Sequence, residues 1–239
     1  MVSIIDSLTK SIFNKAVLTY KQQIAPGTWH IRIQSDALVG HTFTAGEHLR
    51  LFVGLDRDTA MNSKLRTYSI WAFDAASGTA DLAICAHSNG IGSIWIKEVT
   101  VGDTIHYMGP KGKLVIDTAA KSHLLIGDPS ALSHLYAIRS HLSAAQEAAG
   151  IFYSPDEADH YTDLDGSRPF QFLRVGGVPT EPLIAAAEQL KSSLRPALTI
   201  YIGGDMRVCK ELGRYFRQKW PHAEVRAKGF WMPGKVGMD

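Results

Sequence analysis

Apolar and polar residues alternate with a period of two along the first half of the chain. The alternation is visible in residues 16–20, 29–33, 48–53, 67–73, 80–86 and 104–108. Clusters of turn residues separate these runs: Ala25-Pro26-Gly27, Ala45-Gly46, residues 74–78 and Val101-Gly102-Asp103. Short alternating runs punctuated this way are strands of a half-buried sheet, and six of them in sequence predict a closed antiparallel β-barrel. One helix is expected within this half, over residues 91–99, just before the last strand.

The rhythm changes after residue 117. Residues 122–127 form a continuous apolar run of the buried-strand type, and a helix is expected to follow over 129–148. Further strands are expected at 150–153, 170–175, 197–202 and 223–228, and helices at 181–193 and 206–218. Strand alternating with helix implies crossovers between parallel strands, hence an α/β sheet. The switch lies near residues 117–121. The expected organisation is a six-stranded antiparallel barrel over 1–118, followed by a parallel-sheet α/β nucleotide-binding domain over 119–239.

Composition narrows the function classes. The 239 residues are 45% hydrophobic and 20% charged, ordinary for a soluble globular protein. The formal charge of +2 and the lack of a Lys/Arg block argue against nucleic acid as partner. Cys85 and Cys209 are far apart in apolar contexts, which suits buried free thiols rather than a disulfide or a zinc site. His134 and His141 lie seven residues apart on one expected helix with no third ligand near, so no metal site is expected. Motifs of hydrolases (G-x-S-x-G, H-E-x-x-H, the P-loop) are absent. Asp6 and Lys10 interrupt the opening residues and no 18-residue apolar stretch occurs, so the expectation is a cytoplasmic protein without stable membrane insertion. Oligomeric state leaves no mark in the sequence.

Four short stretches could carry chemistry. Arg66-Thr67-Tyr68-Ser69 ends a turn-rich segment and opens a strand. Side chains alternate along a strand, so Arg66 and Tyr68 share a face. Arg66 offers a planar fork of donors for phosphate oxygens, Tyr68 a π-face and a hydroxyl, and Ser69 a hydrogen bond to a ring nitrogen or carbonyl. His87 is followed by Gly90-Ile91-Gly92-Ser93 at the expected start of a helix, where free N–H groups and glycines admit a pyrophosphate. Gly127-Asp128-Pro129-Ser130-Ala131 and Gly203-Gly204-Asp205 each follow a strand of the α/β half, at the carboxyl end where open sheets bind ligands. Each stretch alone is also what an unliganded strand or capped turn shows, and G-x-G-x-x-G is absent. Together they suit a flat, anionic, aromatic molecule such as a flavin dinucleotide.

Taken in order, these pieces resemble a known family. Arg66-Thr67-Tyr68-Ser69 is similar to the flavin motif of the ferredoxin reductase superfamily. His87, Gly90-Ile91-Gly92-Ser93-Ile94-Trp95, Gly109-Pro110-Lys111-Gly112, Gly127-Asp128-x-x-Ala131-Leu132 and the closing Gly229-Phe230-Trp231-Met232-Pro233-Gly234-Lys235 resemble the siderophore-interacting proteins. The resemblance implies an FAD-containing reductase of the bacterial cytoplasm that takes electrons from NADH or NADPH and reduces ferric siderophores. It implies that Arg66 holds the FAD phosphates and that Tyr68 and Ser69 meet the isoalloxazine and ribityl, with Ser69 tuning the flavin. His87 and Gly90 to Ser93 would line the pyrophosphate side. Residues 127–131 and 203–205 would face the nicotinamide nucleotide, and Trp231 would lie near the flavin ring. Ferric siderophores are often anionic, so Arg50, Lys64, Arg226, Lys228 and Lys235 are candidates for a basic lip.

The chain departs from the family at three places. Asp128-Pro129-Ser130 stands where Asp-Glu-Thr is common, and Tyr201-Ile202-Gly203-Gly204-Asp205 where many members have Trp-x-Ala-Gly-Glu. Tyr153-Ser154-Pro155-Asp156-Glu157 is acidic where a 2′-phosphate would want a cation, which favours NADH. Three functions stay open on the residues alone: the ferric-siderophore reductase, a related flavin oxidoreductase serving a protein or free flavin, and a non-enzymatic siderophore- or flavin-binding protein.

Overall fold

The computed structural model describes residues 13–54, 64–86 and 90–235. Its residues fall into two compact units that divide between Gly112 and Lys113.

The first unit is the closed barrel. Its strands are β1 (Asn14–Ala25), β2 (Thr28–Gln34), β3 (His48–Phe52), β4 (Leu65–Asp74), β5 (Thr79–Cys85) and β6 (Thr104–Lys111), with helix α1 (Ile91–Glu98) between β5 and β6. The order around the barrel is β1-β2-β5-β4-β3-β6, closed by antiparallel pairing of β1 with β6. Period-two alternation explains the closure: Ile31 and Ile33 of β2, Leu49 and Leu51 of β3, and Leu82 and Ile84 of β5 are fully buried in one core. The outward side of β2 carries His30 and Arg32, both of which bind the buried Asp81 of β5, at 2.6 Å and 3.0 Å. Trp95 packs against the barrel core, as a core residue should.

The second unit is a parallel sheet of β7 (Ser122–Gly127), β8 (Glu147–Ser154), β9 (Gln171–Arg174), β10 (Leu198–Asp205) and β11 (Glu224–Trp231), in the order β11-β10-β7-β8-β9. Helices α2 (Leu132–Ser140), α3 (Thr180–Leu190) and α4 (Met206–Lys219) make the crossovers. Buried Val208, Cys209, Leu212 and Phe216 recur along one face of α4, and this stripe packs on Ile200 and Ile202 of the sheet. Cys209 is buried, and desolvation pushes its thiol pKa up; Cys85 is half-buried, and neither cysteine is in a disulfide.

Two expectations need correction. The helix expected over 129–148 runs only from Leu132 to Ser140. Pro129 stands in the turn before it, and the Ala-rich stretch after Ser143 opens β8 instead. Helical propensity there is overridden by tertiary pairing. Ser143 and Gln146 close a turn, the Gln146 side chain donates to the Ala120 carbonyl at 2.9 Å, and the Glu147 N–H donates to the Lys121 carbonyl at 3.0 Å.

Arg226, a candidate for a substrate-facing lip, is a structural clamp. Its guanidinium donates to the Val115 carbonyl at 2.8 Å and to Glu224 at 2.7 Å, and lies 3.5 Å from Asp117. Tyr201 and Thr199 hold the same segment, the former accepting from the Asp117 N–H at 2.6 Å, the latter donating to the Asp117 carboxylate at 2.8 Å. These bonds fasten residues 115–117 to the sheet. Burial pushes the Asp117 pKa up, but the Thr199 hydroxyl, the Ala119 and Ala120 N–H groups and the Arg226 charge together hold it below the ordinary carboxylate value.

Candidate functional site

On the barrel, the structure brings Arg66, Tyr68 and Gly92 together. β4 pairs with β3 along Leu65 to Ser69, but its ladder to β5 engages only Ile70 to Asp74. On the β5 side, residues 66–69 therefore run past the end of the pairing, as a strand edge. α1 starts beside that edge, with Gly90 as its N-cap and no side chain capping it. A Cβ on Gly92 would stand 2.7 Å from the Tyr68 hydroxyl and 3.4 Å from Cγ of Arg66. A larger residue at this position would have to push the end of the Tyr68 side chain aside.

The result is a cradle of one guanidinium, one phenol and a helix N-terminus. Desolvation raises the Tyr68 pKa far above that of a free phenol, and the Arg66 charge offsets this only in part, so the ring stays a neutral donor. An anion with an aromatic end fits these groups: phosphate on Arg66 and the helix start, a ring against Tyr68. Ser93 is buried in the same first turn. Thr67 and Ser69 lie on the opposite face of β4, across from Arg50 and His48 of β3. Ser69 is thus one residue removed from the cradle. His87 lies outside the described residues.

Alanine at Gly92 meets the mobile end of Tyr68 rather than backbone, so the barrel should fold while the hydroxyl is displaced. Flavin content of purified Gly92→Ala, read by visible absorbance, is expected to drop about tenfold in affinity, a loss of roughly one hydrogen bond. Undiminished flavin binding with an unshifted Tyr68 would show the close approach to be incidental.

On the α/β unit, the residues expected to face a nucleotide converge on Asp128. This carboxylate is 4% exposed. Its Oδ1 accepts from the N–H and hydroxyl of Ser130, at 2.9 Å and 2.6 Å. Its Oδ2 accepts from the Asp205 N–H and from the Trp231 indole N–H, both at 2.8 Å. One side chain therefore ties the carboxyl ends of β7, β10 and β11 and brings Gly127 to Ala131, Gly203 to Asp205 and Trp231 together, with Pro129, Ser130 and Trp231 partly exposed and the others buried. Gly204, at φ +119°, has its Cα so close that a Cβ would overlap the Asp128 carboxylate.

Asp205 caps α4 through the Arg207 N–H at 2.9 Å and pairs with the Arg207 guanidinium at 2.5 Å. Gly127 and Gly203 let Ala131 sit against both strand ends, since a Cβ on either would stand about 3 Å from the Ala131 Cβ. The start of α2 thus lies directly on the sheet between β7 and β10, where the strand order reverses and open α/β sheets bind ligands.

Sequence reasoning missed the role of Asp128 as a hub; the available signal was a carboxylate at a parallel strand end with a tryptophan N–H elsewhere in need of an acceptor. Phe230, read only as part of the closing signature, has a packing role that was also missed. It packs edge-on to His134, ring centroids 5.5 Å apart, and against Gly203. His134 is accordingly a packed core histidine. His141 caps α2, its Nδ1 2.9 Å from the Ala137 carbonyl oxygen.

A closed antiparallel barrel with an anion-ready strand edge, followed by a five-stranded parallel sheet, is the architecture of the ferredoxin reductase-like flavoproteins. The phthalate dioxygenase reductase structure shares it, with a TM-score of 0.72 at 20% identity over 95% of this chain and 70% of that one. The family model described as "Siderophore-interacting FAD-binding domain" matches residues 54–114, and "Siderophore-interacting protein" matches residues 120–234. The chain belongs to the siderophore-interacting protein family, and FAD is its cofactor. A siderophore utilization protein from T. fusca superposes with a TM-score of 0.75 over 95% of both chains at 20% identity. The siderophore-interacting protein SipS from Aeromonas hydrophila gives 0.74 at 21% identity, over 94% of this chain and 93% of that one. An uncharacterized protein of Mycobacterium tuberculosis is 36% identical over 78 residues; that match spans 32% of this chain and 28% of the relative. Among the described residues no helix is long and apolar enough to cross a membrane.

Proposed function

We propose that this protein is an NADH- or NADPH-dependent flavoprotein that reduces Fe(III) in ferric siderophores and frees Fe(II) in the cytoplasm. The observation that carries the reading is the cradle of Arg66, Tyr68 and Gly92, in a chain of the siderophore-interacting family. FAD, when bound, would supply the redox chemistry: one reduced nicotinamide carries two electrons, enough to take two Fe(III) to Fe(II), one electron each. Oxygen-rich chelators hold Fe(III) far better than Fe(II), so reduction weakens the complex.

The protein's own work is binding and orientation. Arg66 and the start of α1, Gly90 to Ser93 with His87 before them, neutralise the pyrophosphate. Tyr68 offers its neutral ring and hydroxyl, and Thr67 and Ser69 flank it on the strand. Gly127 to Ala131, Gly203 to Asp205 and Trp231 form the nucleotide-facing surface of the sheet. None of these groups is asked to act as a general base. Ser69 is assigned a hydrogen bond that tunes the flavin, so Ser69→Ala is expected to retain FAD while turnover changes several-fold; kinetics identical to the native protein would remove Ser69 from the mechanism.

The test is anaerobic. The purified protein should be yellow, bleach on adding NADH or NADPH, and recover its colour on mixing with a ferric siderophore but not with oxidised ferredoxin. Recovery with ferredoxin alone would assign it to electron transfer between proteins, and a protein that never bleaches would not be a pyridine nucleotide reductase.

A further inference from the structure

Helix α1 offers its N-terminus to the cradle, and a side chain from another strand grips its opposite end. The first N–H groups and the last carbonyls of any helix lack partners within it. At the start of α1 Gly90 is the N-cap, and no side chain caps it. At the finish the Val99 N–H donates to the Trp95 carbonyl at 2.9 Å. The Lys21 ammonium, reaching over from β1, donates to the Lys97 carbonyl at 3.2 Å and to the Val99 carbonyl at 2.6 Å. A cation on the last carbonyls also suits the negative end of the helix dipole.

The same stretch of β1 holds the turn that follows the helix. The Leu18 N–H donates to the Asp103 carbonyl at 3.0 Å, and the Gly102 N–H to the Leu18 carbonyl at 2.8 Å. The Asp103 carboxylate accepts from the Thr100 N–H at 2.8 Å. Partial burial lowers the Lys21 pKa, and the charge of Asp103 opposes this. Ile96 and Val99 are buried in the barrel core, with Ile91 and Trp95 packed against it. Such apolar contacts choose which face of α1 turns inward, but they are non-directional. Its position along its own axis depends on directional bonds, and Lys21 supplies two of them.

We propose that Lys21, at the far end of α1 from the cradle, is a positioning residue that fixes the helix along its axis and so holds Gly90 to Ser93 where the FAD pyrophosphate meets them. The inference rests on the reading of the cradle as the FAD site. Direct attraction between Lys21 and the phosphates is the competing account, and distance argues against it. The eight residues of α1 rise about 1.5 Å each, about 12 Å in all. That exceeds the screening length of about 8 Å at physiological salt. At the helix start the tolerance is far smaller. A Cβ on Gly92 would already stand 2.7 Å from the Tyr68 hydroxyl, so a slip of α1 by a fraction of a turn changes the width of the cradle.

Lys21→Met keeps an apolar stem of similar length and removes the donors. Titration of the full-chain apoprotein with FAD, followed by flavin fluorescence, is expected to show affinity about fivefold weaker in this variant. Lys21→Arg should restore most of it, since arginine can bond the same carbonyls. The ratio of native to Lys21→Met affinity should persist at about 0.5 M salt, where direct attraction is screened out. Hydrogen exchange of residues 91–98 in the apoprotein should quicken in Lys21→Met while the amides of β2 and β5 keep their protection. Affinity within about twofold of the native protein, unchanged exchange in α1, no recovery in Lys21→Arg, or a ratio that vanishes in salt would each overturn the inference. Were Lys21→Met not to fold, Lys21→Gln, shorter and uncharged, would be held to the same criteria. Arg66→Ala measured alongside separates the two readings. If it too binds FAD like the native protein, the cradle is not the FAD site; if it loses FAD while Lys21→Met does not, the cradle stands and the role of Lys21 falls.

Discussion

Replacing Arg66 by alanine is expected to weaken FAD binding about a hundredfold while the barrel stays folded. A guanidinium on a phosphate makes two parallel charge-assisted hydrogen bonds, each contributing about 1.5 kcal/mol or more, and about 2.7 kcal/mol is a hundredfold in affinity. The side chain is half-buried on a strand edge, where its removal leaves no large void. Arg66→Lys should recover only part of the loss, because an ammonium lacks the planar fork. Equilibrium titration of the apoprotein with FAD, followed by flavin fluorescence, measures the effect. A change below twofold with an intact far-ultraviolet spectrum would place the cofactor's phosphates elsewhere and would withdraw the cradle as its site.

The second large effect is structural. Asp128→Ala should destabilise the α/β unit by about 3 kcal/mol, because it strands the Asp205 N–H, the Trp231 indole and both Ser130 donors at once. The Asp205 N–H is buried and recovers nothing from water. Asp128→Asn keeps the shape but puts an amide NH₂ where one pair of donors arrives, so an intermediate loss is expected. Chemical denaturation measures both. The same variants should alter Trp231 fluorescence in the native state, since the indole loses its anchor. Equal stability of the native protein and Asp128→Ala would mean that the three strand ends hold together by packing alone, and that Asp128 is available to a ligand after all.

Much of the architecture was legible from periodicity. Residues 122–127 read as a strand and form β7 without a shift, because a strand buried on both faces is a continuous apolar run. Residues 206–218 read as a helix and form α4 to within a residue, since Asp205 caps it and its apolar stripe repeats at helical spacing. The stretch from 141 to 148 misled for the opposite reason. Its alanines and Gln146 favour a helix locally, yet the Lys121 carbonyl and the Gln146 side chain commit it to the sheet. Arg226 looks in sequence like any exposed cation, and only the fold shows it bound to Val115, Asp117 and Glu224.

For the candidate sites, the division runs between residue type and residue commitment. Residue types and their order along the chain were enough to propose a barrel, an α/β sheet, a flavin-binding edge at Arg66 and Tyr68, and two ligand-facing turns, because alternation, turn chemistry and helix starts are local properties. Packing decided the rest. That Gly92 lies against the Tyr68 hydroxyl, 24 positions away, follows from packing; that Asp128 serves Asp205 and Trp231 follows from the ordering of β7, β10 and β11 side by side. A hydrogen bond between residues about a hundred positions apart has no period to reveal it, and exists only once the sheet has set which strand ends meet.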